Sequence, residues 1–172
     1  MCTLVWLKPS ACRSPTSAAL SEAAWPGVVE VLIARLPHAA DLPLPSPATP
    51  GSAGYDLASA EDGDLGPLER KLFRTGFSIA VPAGYECQLR PRSGLALKHG
   101  ITLPNTPATI DSDYRGELMV ALVNLGTERF QVTRGMRIAQ MIIARVERVK
   151  FHSVEVLPST ARGTGGFGSS GT

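Results

Sequence analysis

An all-β sandwich or barrel is the fold class this sequence predicts, on three observations. Short apolar runs rich in β-branched residues recur from Val28 onward, Gly and Pro turn signals separate them, and no stretch carries a long 3.6-residue period. Glycine and proline supply 17 and 14 of the 172 residues without a collagen-like repeat, so many turns are expected.

The elements follow in order. Val28 to Leu36, VVEVLIARL, reads as the first strand. The five prolines of residues 37–51 predict an extended, non-helical connection. Strand-like runs then recur at Phe77–Val81, Tyr85–Arg90, Leu118–Asn124, Phe130–Thr133, Arg137–Val146 and Val149–Val156. Turn signals at Pro82–Gly84, Leu125–Thr127 and Arg134–Gly135 punctuate them. Leu95 to His99 suits a single helical turn. Cys87 alternates with Tyr85 and Leu89 and reads as a small core hydrophobe.

The length suits one domain, with a hydrophobic share of 44% and a charged share of 19%. The chain divides into a leader (1–27), a β domain (28–158) and a Gly-rich arm (159–172). The net charge of +2 and the scattered basic residues argue against a nucleic-acid partner. No run of 18 apolar residues is present, so no membrane partner is expected. Three cysteines without a C-x-x-C spacing fit neither a disulfide framework nor a zinc site, and suit a reducing compartment. The expected location is cytoplasmic. Residues 1–27, rich in Ser, Ala and Pro, weakly resemble an organellar transit peptide; a disordered leader or an upstream start codon fits equally.

Five stretches have the residue types for chemistry. Ala53-Gly54-Tyr55-Asp56-Leu57 places an acid at a strand entrance, where a turn or capping role is the commoner explanation. Arg90-Pro91-Arg92-Ser93-Gly94 offers guanidinium forks, a hydroxyl and exposed backbone donors to an anion, or else is a solvated basic turn. Asn105 to Glu117 reads as a hairpin-like stretch with Asp111, Asp113 and Tyr114 close together. Strict strand alternation would put Tyr114 opposite the two acids, whereas a turn near Ser112 lets all three converge. One carboxylate there can act as general base on a water; an acidic loop is the plainer alternative. Arg134 to Gln140 opens a long apolar strand, where polar groups reach either a ligand or a turn. The tail matches G-x-G-x-x-G from Gly163 to Gly168, but it lacks the strand before and the βαβ unit after that a dinucleotide fold needs. Its backbone N–H groups can still wrap phosphates, and Phe167 can stack on a base.

In this order and wording, the stretches ATPGSAGYDL, RPRSGLALKHGIT, TIDSDYRGEL, RIAQMI and RGTGGFGSSG resemble the trimeric dUTPase family from about Val28 to Gly171. The resemblance implies a jelly-roll-like β domain, a homotrimer with three shared active sites, and a Gly-rich C-terminal arm that closes over a neighbour's site. It implies Mg²⁺-dependent hydrolysis of dUTP to dUMP and pyrophosphate. Asp56 would orient metal-bound waters in an outer-sphere role. Asp111 would activate the attacking water. Arg92, Ser93 and Gly94 would hold phosphates, and Asn105, Thr109 and Ile110, with backbone near Met119, would read uracil. Tyr114 would pack on the deoxyribose and exclude a 2′-OH. Gln140 would supply a polar contact. Arg162 and Ser169 would touch phosphates, beside Gly168, and Phe167 would form the aromatic lid.

Two departures stand out. The family usually has Gly where this chain has Ala108, which predicts weaker dUTP binding than in an Ala108→Gly variant. It often has an acid where Met136 stands, which predicts a disturbed turn or arginine pairing. A dCTP deaminase of the same fold would need a catalytic Glu in a different third motif. A non-catalytic nucleotide-binding regulator would be expected to lack Asp111. A purely structural β-module would leave the Arg, Asp and tail motifs unexplained.

Overall fold

The computed structural model describes residues 27–166. Ten strands and one short α-helix make up the domain: β1 Leu32–Arg35, β2 Tyr55–Ala58, β3 Gly63–Leu65, β4 Arg70–Ala80, β5 Tyr85–Arg90, α1 Ser93–His99, β6 Ile101–Thr102, β7 Ala108–Ile110, β8 Glu117–Asn124, β9 Phe130–Val132 and β10 Arg137–Arg145, with a 3₁₀ turn at Pro37–Ala39. Among the described residues no helix is long and apolar enough to cross a membrane.

The strands form two four-stranded sheets, β1-β4-β8-β6 and β2-β10-β5-β7, plus the ribbon β3-β9. All their pairings are antiparallel. Period-two alternation turns one face of each sheet inward. In β8, Leu118, Val120 and Leu122 are fully buried, while Glu117, Met119 and Ala121 are partly exposed. These residues meet Leu57, Cys87, Leu89 and Met141 from the second sheet in one core, which Leu65 and Val132 of the ribbon complete. Burying each such side chain contributes ~1.5–3 kcal/mol, against ~0.5–1.5 kcal/mol net for a typical hydrogen bond, so apolar burial dominates the fold. The few buried polar groups are bonded: Asn124 Nδ2 donates to Leu65 O at 3.0 Å and to Glu128 O at 2.7 Å, and Thr75 Oγ1 donates to Leu118 O at 2.7 Å.

Cys87 is the small core residue the alternation predicts. Burial, aided by the Glu86 charge, pushes its thiol up to about 12. The run Tyr85–Arg90 is a strand with those same bounds. Other expectations need correction. The first strand covers only Leu32–Arg35, and the run from Phe77 is the end of an eleven-residue strand that stops at Ala80, one residue short of Val81. The charges of Arg70, Lys71 and Arg74 hide the first half of β4, because those residues sit on its exposed positions. The segment Val149–Val156 forms no strand. It leaves Val149, Phe151 and Val156 exposed at 70%, 92% and 83%, with no partner strand among the described residues. The Asn105–Glu117 stretch is not a paired hairpin. β7 pairs with β5, whereas β8 pairs with β4 in the opposing sheet, because Ile110 and Leu118 enter the core from opposite sides.

Candidate active site

A cleft of about 580 Å³ opens beside β2, β10 and the start of α1, and its lining includes Gly54, Asp56, Arg92, Ser93, Lys98 and Gln140. Local sequence explains how each arrives. Pro91 has no N–H for the sheet ladder, so β5 stops at Arg90. Arg92 stays extended at φ −93° and ψ 126°, and α1 starts at Ser93. The helix ends at Gly100, whose φ of +68° suits glycine, and whose backbone lies so close to Gly126 that a Cβ would stand 2.9 Å from its Cα. The proline-rich connection forms the far wall, where Thr49 and Ser52 bond one another and Ser46 O accepts Asp56 N–H at 3.1 Å.

Register does the rest. Gln140 pairs with Asp56 on one side and with Arg90 on the other, so all three share the outer face of the sheet. Gln140 Nε2 donates to Pro91 O at 3.0 Å, tying the loop to β10. Gly54 leaves room for this side chain, since a Cβ there would stand 2.6 Å from Gln140 Oε1.

Asp56 is the electrostatic centre. Arg92 Nε donates to Oδ1 at 3.0 Å, and Arg137 donates to Oδ2 at 3.0 Å. Arg92 also donates to Arg137 O at 3.2 Å. The Asp56 side chain is only 19% exposed, so these charge-assisted bonds offset its desolvation. Two guanidiniums against one carboxylate leave a net positive cleft, and Lys98 adds to it. Arg137 belongs to the strand-mouth motif but was not among the expected site residues. Its spacing to Gln140 is the only sequence signal for it.

The remaining expected residues lie elsewhere. Thr109 and Ile110 sit on β7, the opposite edge of that sheet from β2 and roughly 14 Å across it at about 4.8 Å per strand. Asn105 is exposed in the preceding turn. Met119 lies on β8, in the other sheet. Asp111 and Tyr114 bracket a turn in which Tyr114 N–H donates to Asp111 O at 3.1 Å, as a turn at Ser112 requires. Arg115 clamps the turn by donating to Ser112 O at 2.7 Å and Tyr114 O at 2.8 Å. Tyr114 folds over Gly116, where a Cβ would stand 2.6 Å from its Cζ, and its hydroxyl donates to Glu117 O at 3.0 Å. Arg162 is exposed and donates to Gly165 O at 2.7 Å rather than lining the cleft. Phe167, Gly168 and Ser169 lie outside the described residues, as does the leader up to residue 26.

The structure places both departures away from open cleft space. Ala108 is 8% exposed, pairs with Leu89 and points into the core; Leu68 is the only non-glycine residue with positive φ among the described residues. The Ala108 methyl group packs in the core between the sheets. The turn at Met136 is intact: its N–H donates to Thr133 O at 2.9 Å, its carbonyl accepts Ser59 N–H at 2.8 Å, and its side chain packs on the core. Arg134 pairs with Asp41 instead.

A family model described as dUTPase matches residues 40–171. The deoxyuridine 5′-triphosphate nucleotidohydrolase of Zymomonas mobilis is 56% identical over 143 residues, covering 83% of this chain and 98% of the relative. Its counterpart from Rhizobium meliloti is 57% identical over 144 residues, covering 81% and 90%. The solved structure of a Staphylococcus bacteriophage 80alpha dUTPase with dUPNHPP superposes with a TM-score of 0.76 at 26% identity, over 83% of this chain and 99% of that one. A dUTPase from phage phi11 of S. aureus, solved to show the coordination of a structural Mg(II) ion, has a TM-score of 0.69 at 22% identity, over 76% and 99%; that likeness bears on the fold alone.

Proposed function

The chain belongs to the dUTPase family, and on that premise we propose that its cleft is the triphosphate half of a site where dUTP is hydrolysed to dUMP and pyrophosphate. The observation that carries this is the convergence of Arg92 and Arg137 on Asp56 beside Ser93. Such an ion cluster is poised for exchange. An incoming triphosphate offers the guanidiniums more negative charge than one carboxylate does, and it releases Asp56 to accept hydrogen bonds from water.

Mg²⁺ fits this scheme as a substrate-borne ion. Among the described residues no group of three His, Cys, Asp or Glu can hold a metal, so the phosphates and waters would carry it, with Asp56 as the outer-sphere acceptor. When bound, it neutralises triphosphate charge and eases attack at the α-phosphorus. Asp111, exposed at the turn before Tyr114, is the proposed general base. Backbone groups around Asn105, Thr109, Ile110 and Met119 are the proposed uracil readers, and Tyr114 the deoxyribose contact. Cytosine reverses the donor and acceptor pattern of uracil, and a buried unpaired group would cost ~1–3 kcal/mol. Arg162, Phe167, Gly168 and Ser169 are proposed to close over the bound nucleotide.

One chain does not bring the halves together. The cleft and the Asp111–Tyr114 turn lie toward opposite edges of one sheet, which supports a homotrimer with sites shared between subunits. The exposed Val149, Phe151 and Val156 support it as well, since the described residues of one chain leave them in water.

Pyrophosphate release from dUTP with Mg²⁺, compared with dTTP, dCTP and UTP, tests the proposal. Turnover confined to dUTP and abolished by Asp111→Asn is the expected result. A folded, assembled protein without dUTP turnover would overturn it.

A further inference from the structure

A second charge cluster lies behind the Asp111–Tyr114 turn, away from the cleft. Glu117 opens β8, and its side chain is 11% exposed. Its Oε1 accepts Gly76 N–H at 2.8 Å and pairs with His38 Nε2 at 2.9 Å; its Oε2 accepts Arg74 Nε at 3.0 Å. One carboxylate thus ties β8 to β4 and to the 3₁₀ turn at Pro37–Ala39.

The place of this cluster in the sheet gives it a purpose. Arg74 pairs with Met119 and Ser78 pairs with Glu117, so three residues of β4, Thr75, Gly76 and Phe77, bulge opposite the single Leu118. Gly76 holds φ +77°, and its missing side chain lets Ala39 pack against it. A bulge leaves ladder groups unpaired. Here the Glu117 carboxylate takes the Gly76 N–H and the Thr75 hydroxyl takes the Leu118 carbonyl. The Glu117 backbone is thereby fixed, and its carbonyl accepts the Tyr114 hydroxyl at 3.0 Å.

We propose that Glu117 is a positioning residue for sugar selection: its clamped backbone sets the Tyr114 ring at the height that admits a deoxyribose and rejects a 2′-OH. This rests on Tyr114 as the deoxyribose contact. Glu117 itself never touches the nucleotide. Of the proposed base readers, Asn105, Thr109 and Ile110 lie on or just before β7, which is held by pairing with β5; Met119 shares β8 with Glu117 but is held by its own ladder pairing with Arg74, so base selection does not pass through the Glu117 side chain.

The test compares kcat/KM for dUTP, UTP and dTTP in the full-length protein with Mg²⁺. Glu117→Ala lowers the dUTP:UTP ratio about fivefold, the worth of one positioned hydrogen bond, and leaves the dUTP:dTTP ratio unchanged. Tyr114→Phe, which cuts the same contact from the other end without touching the cluster, lowers the dUTP:UTP ratio equally, and the double variant adds nothing further. Glu117→Gln keeps an oxygen for Gly76 N–H and restores most of the ratio. An unchanged dUTP:UTP ratio in Tyr114→Phe or in folded Glu117→Ala overturns the inference, as does an equal fall in both ratios, the mark of a generally loosened fold. Tyr114→Ala separates the two levels. If it also keeps the ratio, Tyr114 is not the sugar contact; if it alone collapses the ratio, only the role of Glu117 is lost.

Discussion

Arg92 and Asp56, 36 residues apart, meet through a 3.0 Å bond from Nε to Oδ1 across the mouth of the cleft. The pairing puts the Arg92 guanidinium along the cleft wall, with a second donor on Arg137 O. A guanidinium presents both contacts in one plane, which an ammonium does not.

Arg92→Lys is therefore expected to keep the fold and lose function. A lost charge-assisted bond is worth ~1.5–3 kcal/mol, or about tenfold to hundredfold in kcat/KM for dUTP. Steady-state kinetics alongside a thermal melt would check it; a melt that falls in step with activity would point to lost stability instead.

Ala108→Gly should leave the KM for dUTP unchanged. Its methyl lies in the core beside Leu89. Removing it, and adding backbone freedom in a strand, costs roughly 1–2 kcal/mol. For a domain of this size that lowers Tm by about 2–8 °C. A tighter KM in the variant would restore the sequence-based expectation that Ala108 crowds the base.

How legible was this in the sequence? Tyr85–Arg90 could be read because its alternation is undisturbed and proline ends it. The Asp56–Arg92 pair could not, since it depends on β10 lying between β2 and β5, a pairing no local pattern encodes. Phe77–Val81 was visible but the rest of β4 was not, because the exposed Arg70, Lys71 and Arg74 mask its period. Val149–Val156 has strand chemistry and no strand, because a strand needs a partner edge and the described residues of one chain supply none there. Glu117 was legible only as a letter in a motif; its meaning lies in the β4 bulge it completes.

Cys87 offers a test of the core. Burial, with Glu86 nearby, pushes its thiol up to about 12, so almost no thiolate exists at pH 8 in the folded state. In a Cys2→Ser, Cys12→Ser background, the native protein should resist a disulfide reagent at pH 8 and react at once in denaturant. Fast native labelling would mean that the core between the sheets opens.

Glu117 sets an acid limit on stability. Burial raises its carboxyl, but the Gly76 N–H, His38 and Arg74 together outweigh that and hold it below 4.5. A carboxylate with a lowered folded-state value stabilises fully above its unfolded value, and that contribution is lost as pH falls through the folded value. The stability gap between the wild type and Glu117→Gln should thus shrink as pH falls below about 4.5. Urea unfolding at stepped pH would show it, and a gap constant down to pH 3 would refute it.

The last expectation concerns assembly. Phe151 is 92% exposed and Val154 58%, in a segment without strand pairing. If subunits share sites, these side chains find apolar cover on a neighbouring copy. A fully buried Phe is worth ~1.5–3 kcal/mol, and burying a charge in its place costs more. Phe151→Asp with Val154→Asp should therefore shift sedimentation from a trimer toward smaller species at micromolar concentration. Activity should fall with the trimer fraction and recover as protein concentration rises, because Arg92 and Asp111 would come from different chains. Full activity in a species that sediments as a monomer would show that one chain closes its own site.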